Sequence, residues 1–139
     1  MSDLLDLPRP ITHADLMLAG ACKARFSAPG WIYELKYDGF RCLASKRHDV
    51  VRMESRTGRD LSTCFPEVAA VLAAIPHDFT IDSELVILDE LGRPVWERLK
   101  ARHALKNAQR IREAAARDPA VIFAFDVAQP GGLSPEAAD

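Results

Sequence analysis

The sequence predicts an α+β domain in which antiparallel sheet is flanked by helices, and three observations predict it. Segments of alternating apolar and polar residues follow one another closely between residues 31 and 55, joined by short polar turns. A run with helical periodicity opens at Pro66, and a longer Ala-rich one covers residues 96–116. Further alternating segments stand before and after that long helix, so strands are interleaved with helices in one unit.

Trp31 to Lys36 alternates, with Trp31, Tyr33 and Leu35 on one face and Ile32, Glu34 and Lys36 on the other, which predicts a strand. Tyr37-Asp38-Gly39-Phe40 is a turn signal because Gly39 tolerates positive φ. Phe40–Ser45 then resumes a strand, Lys46–Asp49 forms a polar hairpin tip, and Val50–Ser55 returns. Ser62 and Thr63 are candidate caps for a helix that Pro66 opens, with Val68, Val71, Leu72 and Ile75 forming its apolar stripe. Phe79–Leu88 alternates again, with Phe79, Ile81, Leu85 and Ile87 inward and Thr80, Asp82, Glu84 and Val86 opposite. Trp96–Ala116 predicts one helix buried through Ala101, Ala104, Leu105, Ala108 and Ala115 and ended by Asp118-Pro119. Val121–Val127 is the last predicted strand. One domain is expected over residues 1–139, with a lead-in over 1–25 and a loose tail over 128–139.

Composition narrows the function classes. The 139 residues carry 18 Lys plus Arg against 20 Asp plus Glu, a net charge of −2, and 48% are hydrophobic, which places the chain among globular proteins rather than disordered or collagen-like ones. The longest apolar runs fall well short of the ~20 residues of a membrane helix, and the acidic, Pro-broken start is unlike a secretory signal, so a cytoplasmic location is expected. Cys22, Cys42 and Cys64 are odd in number and form no C-x-x-C pair, and the four histidines stand far apart. Neither a disulfide framework nor a metal cage is expected. Between Arg93 and Arg117 eight basic residues face only Glu97 and Glu113, a local charge of +6 that suits either a solvated face or contact with a nucleic-acid backbone.

Lys36, Asp38 and Arg41 cluster around the glycine turn. A lysine amine is nucleophilic only when neutral, and an ordinary lysine is protonated at pH 7. A neighbouring cation, Arg41 or the Arg56 of Glu54-Ser55-Arg56-Thr57-Gly58, favours the neutral form and at the same time binds phosphate oxygens, so the constellation points to attack on a phosphate.

These residues resemble a known family. Glu34-Leu35-Lys36-Tyr37-Asp38-Gly39-Phe40-Arg41 is similar to motif I, K-x-D-G-x-R, of the covalent nucleotidyltransferases: ATP-dependent DNA ligases, RNA ligases and mRNA capping enzymes. Ser55-Arg56-Thr57-Gly58-Arg59-Asp60-Leu61 running to Phe65-Pro66-Glu67 resembles the segment that follows motif I in DNA ligases. Ile81-Asp82-Ser83-Glu84-Leu85-Val86 resembles motif III, with Ser83 in place of the usual Gly, and Phe123-Ala124-Phe125-Asp126-Val127 resembles motif IIIa. The style is closest to bacterial ligases of break repair and recombination.

The resemblance implies the N-terminal part of an ATP-grasp-like nucleotidyltransferase domain, using ATP and Mg2+ and acting on nicked double-stranded DNA. It implies that Lys36 attacks the α-phosphate of ATP to give lysyl-AMP, that AMP passes to the 5′-phosphate at a nick, and that the adjoining 3′-hydroxyl displaces it. By the same resemblance Glu34 approaches the adenine amino group, Asp38 orients the turn, and Arg41 and Arg56 hold ribose and phosphate oxygens. Glu84 accepts a ribose hydroxyl and Phe125 stacks on the purine. No metal-ligating residue is assigned. The family continues to motif IV and the lysines of motif V, whereas 13 residues follow Asp126 here and none is Lys or Arg. A partial adenylation domain is therefore expected, with a C-terminal, OB-fold half as a missing partner. Two alternatives stay open: a nucleotide-binding fragment without catalysis of its own, and an RNA ligase-type enzyme.

Overall fold

The computed structural model describes residues 10–18, 20, 28–32 and 35–130. A 3₁₀ turn, His13–Asp15, precedes the sheet. The regular elements then run β1 (Phe40–Arg47), β2 (Val50–Ser55), α1 (Pro66–Ala73), β3 (Phe79–Ile87), α2 (Trp96–Ala104), α3 (Ala108–Arg117) and β4 (Ala120–Pro130). The four strands form one antiparallel sheet in the order β2-β1-β3-β4. The α+β architecture expected from sequence is the one observed.

Strand alternation sorts the sheet into two faces. Cys42, Ala44, Met53, Leu85 and Ile87 point to the helical side and pack with Leu61, Phe65, Val68, Leu72 and Leu99 into the core. Arg41 lies opposite Glu84, and Leu43 opposite both Asp82 and Glu54, so these residues share the other face. The β1–β2 hairpin turns on His48 and Asp49 alone, both at positive φ (47° and 67°), because Arg47 already pairs with Val50. Two left-handed residues give the turn whose twist matches its strands.

Several expectations are corrected. Of the strand expected over Trp31–Lys36, residues 33 and 34 lie outside the described residues and the described ones take no strand structure; Trp31, Ile32 and Leu35 are exposed. In α1 only Val68 and Leu72 of the expected stripe are buried, Val71 and Ile75 facing out. Ser62 and Thr63 do not cap α1: both hydroxyls donate to the Asp60 carboxylate, Thr63 at 2.6 Å. The long helix is two helices, because the Asn107 side chain accepts the Arg110 N–H at 3.0 Å and starts α3 afresh. Leu99, Arg102, Ile111 and Ala114 are its buried residues in place of the alanines expected. β4 runs on to Pro130, past Val127, and residues 131–139 lie outside the described residues.

A buried ion pair ties the helical layer to the sheet. Arg102, 2% exposed, donates to both carboxylate oxygens of Glu67 at 2.9 and 3.0 Å, to the Asp118 carbonyl at 2.7 Å and to the Cys64 carbonyl at 3.0 Å. Glu67 also accepts the Ala120 N–H at 2.9 Å, which anchors the start of β4. Phe65-Pro66-Glu67 thus does structural work: a core aromatic, a first-turn proline and the carboxylate of this pair. Lys46, also buried, donates to the carbonyls of Ala73 and Ile75 and closes the C-terminus of α1. Among the described residues no helix is long and apolar enough to cross a membrane.

Candidate active site

The segment Lys36–Gly39 enters β1 at the end of the sheet where Glu84 sits. Gly39 is not at positive φ, contrary to the reading of the turn from sequence. Its requirement is closeness: a Cβ there would stand 2.2 Å from the Leu85 carbonyl oxygen and 2.6 Å from Val86 Cγ1. Pressed against β3 in this way, the Gly39 N–H donates to Glu84 Oε1 at 3.2 Å. Tyr37 stacks flat on Phe123, ring centroids 4.1 Å apart and planes 6° from parallel, so the segment is held from β4 as well.

Lys36 lines a cavity of about 590 Å³, together with Arg41, Arg56 and Glu84. Its apolar lining includes Leu18, Phe40, Leu61 and Trp96, and Arg59 and His103 line it as well. Phe40 meets both Trp96 and His103 edge to face at 5.2 Å. The loop that brings Arg56 and Arg59 there is a closed turn: Ser55 N–H donates to the Arg59 carbonyl at 2.8 Å, Arg59 N–H to Ser55 Oγ at 3.0 Å, and Gly58 takes φ +78°. Asp60 behind it is held below the usual carboxylate range; burial opposes this, but the hydroxyls and amides of Ser62 and Thr63 outweigh it.

Arg41 is fixed before any ligand arrives. Its Nε and Nη2 donate to the two carboxylate oxygens of Asp82 at 3.1 and 2.6 Å, and Nη1 donates to the Met17 carbonyl. The Asp82 hydrogen bonds hold its guanidinium even more firmly charged than usual, against burial. Burial pushes the Glu84 carboxyl up, with Asp38 and Asp82 adding to the rise and the Gly39 N–H and Arg41 opposing it. Burial, Lys106 and Arg59 push the His103 imidazole down. Cys42 is pushed up to about 12 by burial in the core and is no nucleophile.

Of the residues singled out in the sequence, the structure brings Lys36, Arg41, Arg56 and Glu84 around one cavity. Asp38 is exposed beside it and acts on Glu84 through its charge. Phe125 does not line the cavity. It is the extra residue of a bulge in β4, since Asp82 pairs with Asp126 while Ser83 pairs with Ala124, and its half-exposed ring lies 5.9 Å from the Arg41 guanidinium carbon. Glu34 lies outside the described residues. Trp96, His103 and Leu18 are cavity residues that no local pattern marks, because long-range packing alone brings them there, whereas Arg59 arrives with Arg56 on the same turn.

The basic stretch is largely spent on pairs. Arg102 is buried on Glu67, Arg93 pairs with Asp89, Arg98 and Arg117 with Asp118, and Lys100 with Glu97. Lys106, Arg110 and Arg112 are its exposed remainder.

Comparison with known proteins places these features in a family. A family model described as the ATP dependent DNA ligase domain matches residues 16–132. The chain is 36% identical over 108 residues to the bifunctional non-homologous end joining protein LigD of Bacillus subtilis, covering 73% of this chain and 18% of that protein. It is 40% identical over 101 residues to DNA ligase C of Mycobacterium tuberculosis, covering 71% of this chain and 27% of the relative. The crystal structure of the ligase domain of M. tuberculosis LigD superposes with a TM-score of 0.54 at 29% identity, over 73% of this chain and 30% of that one. The chain thus spans about a fifth to a quarter of the length of these two relatives, and over that span it belongs to the ATP dependent DNA ligase domain family.

Proposed function

We propose that this chain carries the nucleotide-accepting part of an ATP-dependent DNA ligase, with Lys36 as the residue that takes up AMP in break repair. The single observation that carries the reading is the convergence of Lys36, Arg41, Arg56 and Glu84 on one cavity of about 590 Å³ in a chain of this family. That volume lies within the range of small-molecule sites. A mycobacterial DNA ligase D solved with ATP is among its structural relatives, which supports ATP as the nucleotide.

In the proposed reaction the neutral amine of Lys36 attacks the α-phosphorus, the bond to the β-phosphate oxygen breaks, pyrophosphate leaves, and the amine proton passes to solvent. The AMP then moves to the 5′-phosphate at a nick in DNA, and the 3′-hydroxyl displaces it. Transfers of this kind are driven by positioning and charge stabilisation. Arg41, already oriented by Asp82, holds a ribose or phosphate oxygen, and Arg56 grips phosphate. Glu84 accepts a ribose hydroxyl while bound to the Gly39 N–H. Phe125, whose ring lies beside Arg41 outside the cavity, would have to turn inward to stack on the purine, Asp38 steadies the turn, and Glu34 meets the adenine amino group.

Among the described residues no group of three or more His, Cys, Asp or Glu side chains is arranged to hold a metal ion. Mg2+ entering with the triphosphate would supply positive charge against the departing pyrophosphate. Nicked double-stranded DNA and a further, OB-fold-bearing part of the ligase are the proposed partners, and the cytoplasm the proposed location.

The test is exchange of labelled pyrophosphate into ATP with Mg2+ present, since adenylation of a lysine is reversible. Exchange by the wild-type chain, lost in Lys36→Ala, is the expected result. Undiminished exchange by Lys36→Ala overturns the assignment.

A further inference from the structure

Resting on the nucleotide reading above, we infer that the segment Thr12–Leu18, which lies upstream of all four motifs, belongs to the ATP site, and that Leu18 forms the apolar wall covered by the purine. The segment is anchored at both ends. Its 3₁₀ turn is closed on itself by the Asp15 carboxylate, which accepts the Thr12 N–H at 2.8 Å and its hydroxyl at 3.2 Å. The His13 ring then rests on Gly58, where an added Cβ would fall 2.5 to 2.9 Å from three ring atoms, and its Nδ1 stands 3.7 Å from Glu54 Oε2. This end therefore docks on the loop that carries Arg56.

Four residues on, the Met17 carbonyl accepts Arg41 Nη1 while Asp82 occupies Nε and Nη2 of the same guanidinium. An arginine offers five N–H donors, so some remain for a ligand in the cavity that Arg41 lines. The contact also sets where the next residue falls. Leu18 lines that cavity and is 58% exposed. A leucine at a cavity wall gains free energy when apolar surface covers it. In ATP the flat purine offers such a surface and the triphosphate does not. Leu18 shares the lining of that cavity with the apolar side chains of Phe40, Leu61 and Trp96.

Trp96 lines the cavity, so binding can be read from its fluorescence in the full chain carrying Trp31→Phe. Leu18→Ala should raise the Kd for ATP and for adenosine about tenfold and leave that for inorganic tripolyphosphate within twofold. Leu18→Met should restore adenosine binding to within about threefold. Thermal unfolding should be unchanged in both variants because the side chain is exposed. Equal weakening of tripolyphosphate, or an unchanged Kd for adenosine in Leu18→Ala, overturns the inference alone. Failure of the wild-type chain to bind ATP overturns the nucleotide reading and the inference with it.

Discussion

Replacing Gly39 with alanine tests the junction on which the site depends. The backbone there is not at positive φ, so alanine meets no conformational strain, and by lowering the entropy of the unfolded chain it would on its own stabilise by about 0.4–1 kcal/mol. The packing says the opposite. The new methyl would sit 2.2 Å from the Leu85 carbonyl oxygen, which belongs to the β1–β3 ladder where Phe40 pairs with Leu85, so relief needs a movement of about 1 Å between two paired strands. Overpacking of this kind costs about 1–3 kcal/mol. The movement also breaks the Gly39 N–H bond to the Glu84 carboxylate, worth a further ~1.5 kcal/mol or more. Together Gly39→Ala should lose about 3 kcal/mol in urea unfolding, roughly 10 °C in Tm for a domain of this size. Because Lys36 and Glu84 shift relative to one another, pyrophosphate exchange should fall about 10²-fold even well below the Tm. A variant within about 0.5 kcal/mol of wild type and fully active would refute the close approach.

Three further outcomes are expected. Glu67→Ala strands the buried Arg102 cation and the Ala120 N–H and should cost about 3–5 kcal/mol in urea unfolding, where a surface carboxylate would cost almost nothing. Burial raises Glu84 in the folded state, so the folded chain loses stability as pH rises from the group's unfolded value through its raised folded one. Glu84→Gln should therefore gain stability relative to wild type as pH is raised from 4 to 7; a difference that does not change over that range would contradict this sign. If the exposed remainder of the basic stretch touches DNA, Arg110→Ala and Arg112→Ala should each lower the slope of log affinity against log salt by about 1 on nicked duplex, and an unchanged slope removes α3 from the interface.

The strands were legible wherever alternation coincided with a partner. β1, β2 and β3 have hydrogen-bonded neighbours and fall within a residue or two of their expected bounds, and the antiparallel placement of Asp82 and Glu84 on one face holds. Trp31–Lys36 alternates as well, but alternation reports two faces and not the presence of a neighbouring strand. Helical periodicity misled in a similar way across residues 105–107, because alanine fits any face of a helix while Asn107 prefers to begin one. Asp60 could have been suspected as the acceptor for Ser62 and Thr63, being two and three residues before them.

At the site, Lys36, Arg41 and Arg56 were legible as a cluster around the turns, and Glu84 through its resemblance to motif III, while their convergence on one cavity comes from the fold. Alternation placed the Asp82 carboxylate on the face of Glu84 but did not show its partner, since only the β1–β3 register puts it beside Arg41. Leu18, Trp96 and His103 reach the cavity from segments far away in sequence, and nothing within those segments marks them.

The Lys36 amine is the proposed acceptor of AMP. The most direct measurement is intact-mass and peptide mapping of the chain after incubation with ATP and Mg2+. A single AMP adduct, acid-labile as a phosphoramidate is, should appear on the peptide containing Lys36 and be absent from Lys36→Ala. An adduct on any other residue, or one that survives Lys36→Ala, would contradict the assignment.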